Sequence, residues 1–471
     1  MFELLFYLGF FLAALLAVVT VSVVPTSWTL QAVIVGGFLF LGPIIYFTGV
    51  NQISWVFYLA TALLIFRLSF VAGRNKNLSL GISRPPGFVL LIGFFLFSTA
   101  FFSIMVQPKF GELLVSSRWY FFVWPVMLVF MASESSHYTI ERVWKLLMLV
   151  SLLQLPMSLF QYFVVARIST RSSPWDAVVG TFPGHMDGGG QSAAMAVFLL
   201  IIVLLSFALQ REKYIKRKYL AAQAICCLIT IGLAEVKAAV LLMPVVAVLF
   251  YQREIFRRPI QGILLTLGAI GLVVVLFQAY EALHYSSEET ARFSKYNVHK
   301  TTLERVMDAL DPENEAEYLG QIGRVTHLIV WWREHIESND VLGMLFGHGI
   351  GSTEVTNFSL GEIAATYPFA MDVTSTTILL WETGLFGHMI FVVILFYASL
   401  LSSRLSRNIS IPEWHRIVLR VGAVALLLLI ITLPYKNFAL RSFPISLLMM
   451  LLLGQTAYWW RMVRLAPQAI K

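Results

Sequence analysis

Apolar residues fill this chain in blocks of span length, separated by short polar connections, until one long stretch breaks the rhythm. Thirteen blocks stand out, at 4–24, 31–48, 53–72, 87–106, 119–132, 143–165, 191–209, 219–233, 237–251, 262–283, 376–401, 417–433 and 442–459. Crossing a bilayer takes a helix of roughly 20 mostly apolar residues. The blocks are continuous rather than alternating, which predicts helices and not the strands of a barrel. Because some blocks are short, about 13 transmembrane helices are expected, within a range of about 12–14. The expected fold is an all-α polytopic membrane protein, with residues 1–471 in a single membrane domain.

From His284 to about Thr376 no block of span length occurs. Residues 284–375 are expected to form a loop inserted between spans 10 and 11. Leu303, Val306, Met307 and Leu310 recur at helical spacing and stop at Asp311-Pro312, which predicts a short amphipathic helix. Val325, Leu328, Ile329, Trp332 and Ile336 predict a second one. Trp331 and Trp332 suit the headgroup region, so this helix is expected to lie against the membrane or to cap the bundle. The glycine-rich turn Phe346-Gly347-His348-Gly349-Ile350-Gly351-Ser352 follows, where backbone can approach backbone or a ligand closely.

Composition supports the same reading. The chain is 58% hydrophobic and 13% charged, whereas a soluble domain is roughly 25% charged. Too few polar side chains remain to cover a soluble surface, so lipid must solvate much of it. Lys and Arg gather in 67–86, 210–218, 252–261 and 402–416 and near the C-terminus. Thirteen spans with the N-terminus outside bring all five to one face, and 284–375 then lies on the extracytoplasmic face. The net charge of +8 is scattered over short loops and does not argue for nucleic acid. Glu3 stands where a signal peptide would be basic. No internal repeat of the kind found in many transporters is visible. Adjacent Cys226 and Cys227 fit neither a disulfide framework nor a metal site.

The ionisable residues near span ends are the candidates for chemistry, because charge beside hydrocarbon is costly and faces a partner or a cavity. Glu235 and Lys237 share a very short connection, where they either pair with each other or leave Lys237 facing an anion. Arg324 opens the second loop helix, where a cation opposes the helix dipole and a nearby anion would compensate. Asp372 precedes the eleventh span, as a base for a hydroxyl or as a helix cap. Glu382 lies about 15 Å into that span at ~1.5 Å per residue, as a buried structural partner. Lys436 and Arg441 add positive field in the last outer loop or anchor helix ends. His185, in the glycine-containing segment Gly180–Gln191, and His348 are lone histidines. No cluster has ligand spacing, so no metal and no cofactor are expected. P-loop and Gly-x-Ser-x-Gly patterns are missing.

In this order the pieces resemble the bacterial O-antigen polymerase and O-antigen ligase superfamily. The resemblance rests on Gly180-Thr181-Phe182 through Gln191, on Glu235-Val236-Lys237-Ala238-Ala239, on Gly323-Arg324 with its helix and Phe346–Gly351, and on Trp381-Glu382-Thr383-Gly384-Leu385-Phe386-Gly387 opening the next span. It covers about residues 115–455. It implies a metal-independent, inverting glycosyltransferase of the GT-C type. The donor would be an undecaprenyl-pyrophosphate-linked glycan at the outer face of the bacterial inner membrane. Lys237 and Arg324 would hold the pyrophosphate and Asp372 would serve the acceptor. Lys436, Arg441, His348, His185 and Glu235 are added as substrate contacts. Membrane lipid, a flippase and a chain-length regulator are the implied partners. Ligases carry a histidine eleven residues before the first glycine of the Gly-x-x-Gly pair; here that position is Val373. The departure favours polymerisation of an O-antigen, capsule or exopolysaccharide over ligation to a lipid or protein acceptor. A transporter is the third alternative.

Overall fold

A computed structural model describes residues 24–74, 85–106, 109–132, 136–168, 174–257, 322–355 and 360–465, with scattered helical positions at 9–19 and 260–278. The expected spans at 4–24 and 262–283, and the expected helix around Leu303–Leu310, fall wholly or mostly outside the described residues. The described chain is helical, with no strand beyond the isolated bridges Gly184–Gly190 and Val355–Leu360.

The helices are, in chain order, α1 (Thr26–Thr48), α2 (Ser54–Arg74), α3 (Gly87–Val106), α4 (Phe110–Tyr120), α5 (Trp124–Ala132), α6 (Ser136–Phe160), α7 (Ser192–Arg211), α8 (Arg217–Leu233) and α9 (Lys237–Arg257). After them come α10 (Arg324–Glu337), α11 (Val341–Phe346), α12 (Glu362–Thr366), α13 (Ser375–Leu405), α14 (Glu413–Thr432), α15 (Phe438–Arg441) and α16 (Phe443–Leu465). Among the described residues, eight helices are long and apolar enough to cross a membrane. The chain is therefore an all-α membrane protein.

Short connections force alternation. The helix α7 is 20 residues long, or about 30 Å at ~1.5 Å per residue, so Gln191 and Arg211 lie at opposite ends of the bundle. The Arg211 end also holds Tyr214 bonded to Glu413, and Arg420 bonded to the Phe250 carbonyl. The Gln191 end holds the α8–α9 turn, the start of α13 and the 433–442 connection, where Gln191 Nε2 donates to the Arg441 carbonyl at 3.4 Å.

Burial sorts the helices. In α16, 94% of the apolar window is buried, against 28% in α3. Protein is thus the solvent of α16, and α3 is left to face lipid. Trp144 Nε1 reaches across to donate to Gln455 Oε1 of α16 at 2.8 Å, which gives the buried indole N–H its acceptor.

Two departures from the sequence expectation matter for the site. The block at 119–132 is preceded by α4, which begins at Phe110 and is separated from α5 by residues 121–123. Glu112, Ser116 and Arg118 break its apolar pattern because that face meets other polar groups instead of lipid. The segment around Gly180, expected as an outer loop, is partly sunk into the bundle. Residues 177–182 are buried, and two glutamines of the α6 region replace the hydrogen bonds that a helix would supply. Gln161 Oε1 accepts from Val179 and Gly180 N–H, and Gln161 Nε2 donates to the Gly180 carbonyl. Gln154 accepts from Thr181 N–H and donates to its hydroxyl, which in turn donates to the Phe38 carbonyl. Irregular backbone survives at depth only when its polar groups are matched in this way.

Candidate functional site

The site is built around a broken helix. In α13 the glycine Gly384 has φ +67°, so the helix starting at Ser375 stops and restarts there. Breaking a helix orphans carbonyls. Here the Trp381 and Glu382 carbonyls accept from His348 N–H at 2.8 Å and Gly349 N–H at 3.1 Å. The glycine-rich turn can come that close because it carries no side chain. A Cβ on Gly347 would sit 2.5 Å from the Glu382 carbonyl carbon, and one on Gly384 would sit 2.3 Å from Leu345 backbone. The run Glu382–Gly387 lies inside the span, as the expected depth of Glu382 implied, at the point where the glycine turn plugs the break.

The turn delivers Thr353 and Glu354 to the interior. Thr353 Oγ1 donates to Glu382 Oε1 at 2.6 Å. Glu354 is 3.0 Å from Arg441 and 3.4 Å from Arg118, and accepts from Ser116 Oγ and Trp119 Nε1. Arg441 also reaches Glu382 at 3.7 Å. Arg118 stacks on Trp119 and Trp55, with its guanidinium carbon 4.3 and 4.9 Å from the ring centres. Burial alone would push the Glu354 carboxyl up, but Arg441, the Ser116 hydrogen bond and Arg118 outweigh it and hold the pKa below the ordinary glutamate value. Two guanidinium groups thus share two carboxyl groups. Arg441, expected to add positive field to an outer cavity, is instead enclosed and neutralised in this network, so it braces the site. Glu382 is the buried structural partner anticipated from its depth.

A second group lies at the same end of the bundle and is more open. Arg324 opens α10 behind Gly323, as its sequence position predicts. Its guanidinium carbon rests 4.3 Å above the Tyr435 ring. Lys436 is half-buried, and burial, then the neighbouring Arg324 charge, hold its ammonium below the usual lysine range; Asp176 and Asp372 oppose that shift. Asp372 does not cap α13. Thr374 does, in a reciprocal capping box with Thr377. The Asp372 backbone carbonyl is instead held by Asn437 Nδ2 at 2.7 Å, while Ser375 bonds to the Lys436 carbonyl. Four separate segments therefore converge, contributing Asp176, Arg324, Asp372 and Lys436.

Lys237 starts α9 at this end and lies 3.2 Å from Glu235, the ion pair anticipated from their spacing. Glu235 takes a left-handed φ of +52°, a costly conformation for a residue with a side chain. His185 is half-buried in the turn closed by the Gly184–Gly190 bridge. His348 is not the lone histidine that the sequence suggested. Its Nε2 lies 3.3 Å from His335 Nε2 and 3.6 Å from Asp340 Oδ2.

Arg118, Glu354, Asp176, His335 and Asp340 escape a reading of the sequence. Arg118 carried a usable signal, because an arginine bordering an apolar run demands a partner. Glu354 carried none, since nothing local marks it. No protein-family model matches the chain, and no curated protein matches it either.

Proposed function

We propose that the chain polymerises undecaprenyl-pyrophosphate-linked repeat units into an O-antigen, capsule or exopolysaccharide at the outer face of a bacterial inner membrane. The observation that carries this reading is the meeting of Arg324 and Lys436 in one half-buried group. These two cations lie with Asp176 and Asp372, so a diphosphate could be held by Arg324 and Lys436 beside a carboxylate that serves the acceptor. In this reading the molecule has thirteen spans and a GT-C arrangement, and the Gln191 end faces outward. Arg324 and Lys436 hold the pyrophosphate, and Lys237 joins them when it exchanges Glu235 for the substrate.

The chemistry is a single displacement at the anomeric carbon. The acceptor hydroxyl oxygen forms the new glycosidic bond, its proton passes to a carboxylate, and the bond to lipid pyrophosphate breaks with inversion. Asp372, which is not engaged as a helix cap, is the carboxylate assigned to that proton. Fixed cations stabilise the developing charge on the leaving pyrophosphate.

Arg324→Ala, Lys436→Ala, Lys237→Ala and Asp372→Ala are tested with purified protein and lipid-linked repeat units. Loss of one charge-stabilising donor costs roughly 10²–10³ in kcat, so chain extension is expected to fall by that order in Arg324→Ala and Lys436→Ala. Polymer of normal length from all four variants refutes the assignment. Offering lipid or protein acceptors separates a polymerase from a ligase. The break at Gly384 beside buried charge also favours a transporter, since discontinuous helices often line transport sites. Flux of the glycan across proteoliposomes without covalent change would establish that reading instead.

A further inference from the structure

We propose that His335, Asp340 and His348 bind a divalent transition metal ion of the Zn²⁺ class, which clamps α10 to the glycine turn. The three donor atoms all lie within 4.8 Å of one another. His348 Nε2 is 3.3 Å from His335 Nε2 and 3.6 Å from Asp340 Oδ2. In a tetrahedral site with bonds of about 2.0–2.1 Å, adjacent donors stand about 3.3 Å apart. The spacing between the two imidazoles therefore matches one edge of such a tetrahedron.

Two of the three donors are also held by their other atom. His335 Nδ1 is 2.7 Å from the Trp331 carbonyl, an oxygen that can only accept. This places the proton on Nδ1 and leaves the Nε2 lone pair facing His348, the outer-sphere arrangement usual for metal-bound histidine. Asp340 Oδ1 accepts from Gly343 N–H at 2.9 Å, which leaves Oδ2 for the site. Space is kept beside the donors by the glycine at 343, where a Cβ would fall 1.9 Å from Asp340 Oδ2 and 3.0 Å from His348 Nε2. The Trp381 ring packs against both imidazoles at 5.1 and 5.8 Å. Two nitrogens and one carboxylate suit zinc and its neighbours better than magnesium or calcium. Three protein donors leave a fourth position for water.

Location gives the ion its role. His348 N–H bonds the Trp381 carbonyl at the break in α13, and His335 sits on the helix that begins with Arg324. One ion thus ties the helix carrying Arg324 to the glycine turn that plugs the broken helix and delivers Glu354. This inference does not depend on the proposed polymerase activity.

The test uses full-length protein in detergent, purified through a tag without histidines and stripped with EDTA. Zn²⁺ is returned, excess is dialysed away, and bound metal is measured by mass spectrometry. One equivalent is expected on the wild type and less than about a tenth of that on a His335→Gln/His348→Gln double variant. Asp340→Asn keeps an acceptor for Gly343 N–H but loses the anionic donor, and is expected to retain less zinc than wild type under the same dialysis. His185→Gln is expected to retain the full equivalent. In case the double variant fails to fold, Co²⁺ added to the wild type is expected to give the intense visible absorption of four-coordinate cobalt, and Zn²⁺ to raise its Tm. Wild type that retains no more zinc than the double variant, or that gives neither the cobalt band nor the Tm shift, overturns the site and leaves a hydrogen-bonded histidine pair.

Discussion

Arg441 shows why charge inside an apolar bundle is a question of partners. Its guanidinium sits between Glu354 and Glu382, so truncation takes the cation from Glu382 and leaves Glu354 with Arg118. Breaking a buried pair costs about 3–5 kcal/mol. Arg441→Met is therefore expected to lower thermal stability by that order, measured by unfolding in detergent with an intrinsic tryptophan signal. Glu354 adds a pH signature. Its pKa in the folded protein is below the ordinary value of 4.5. The contribution is fully present above the unfolded value and is lost as pH falls through the folded one. A Tm titration of wild type is expected to drop in that acid range, and Glu354→Gln is expected to lack the step. The sequence displayed Arg441 as one of two cations in a short loop, but its partners enter from residues 354 and 382. Pairings across such separations follow from the tertiary fold, and no local spacing encodes them. Arg324, by contrast, was readable, because a cation at a helix start conflicts with the dipole wherever the helix goes.

Helices follow apolar periodicity, and α10 formed where its spacing predicted. Its packing face did not follow. Ile329, Trp332 and Ile336 are 37, 58 and 54% exposed, while Thr326, His327, Trp331 and His335 are buried. Trp331, expected at the headgroups, donates Nε1 to the Leu380 carbonyl instead. Near the break in α13 the Leu380 carbonyl accepts from Trp331 and the Trp381 ring packs on His335, so these two side chains turn inward. Ile329, Trp332 and Ile336 are left as an exposed apolar stripe. The break in α13 was likewise hidden, since glycine within a long apolar block looks like an ordinary span residue. Its interlock predicts a contrast. Gly384→Ala places a Cβ 2.3 Å from Leu345 backbone at φ +67°, whereas Gly49→Ala at φ +70° meets nothing within 4 Å. The second is expected to cost about 1–2 kcal/mol of left-handed strain, and the first to abolish a monodisperse peak in size-exclusion chromatography.

The whole bundle was the most legible level, because long apolar blocks and one-sided basic loops survive any detail of packing. Described basic residues at 211–218, 253–257, 404–416 and 461–464 lie at one end, and Lys237, Arg324 and Lys436 lie at the other. Single cysteines replacing Asp187 and Lys213 on a background without Cys226 and Cys227 are expected to react with an impermeant maleimide from opposite sides of sealed vesicles. Labelling of both from one side would overturn the alternation of the bundle. The centrality of α16 adds a constraint on biogenesis. The most enclosed span is synthesised after every other described helix, so its neighbours emerge from the ribosome around a seat that has no occupant yet. Until Phe443–Leu465 arrives, lipid or an insertase must shield polar groups such as Trp144 Nε1, whose bond waits for Gln455. Insertion of this protein is consequently a closing step rather than a steady accretion, and a ribosome arrested before Phe443 would leave an open ring of helices for quality-control proteases to find.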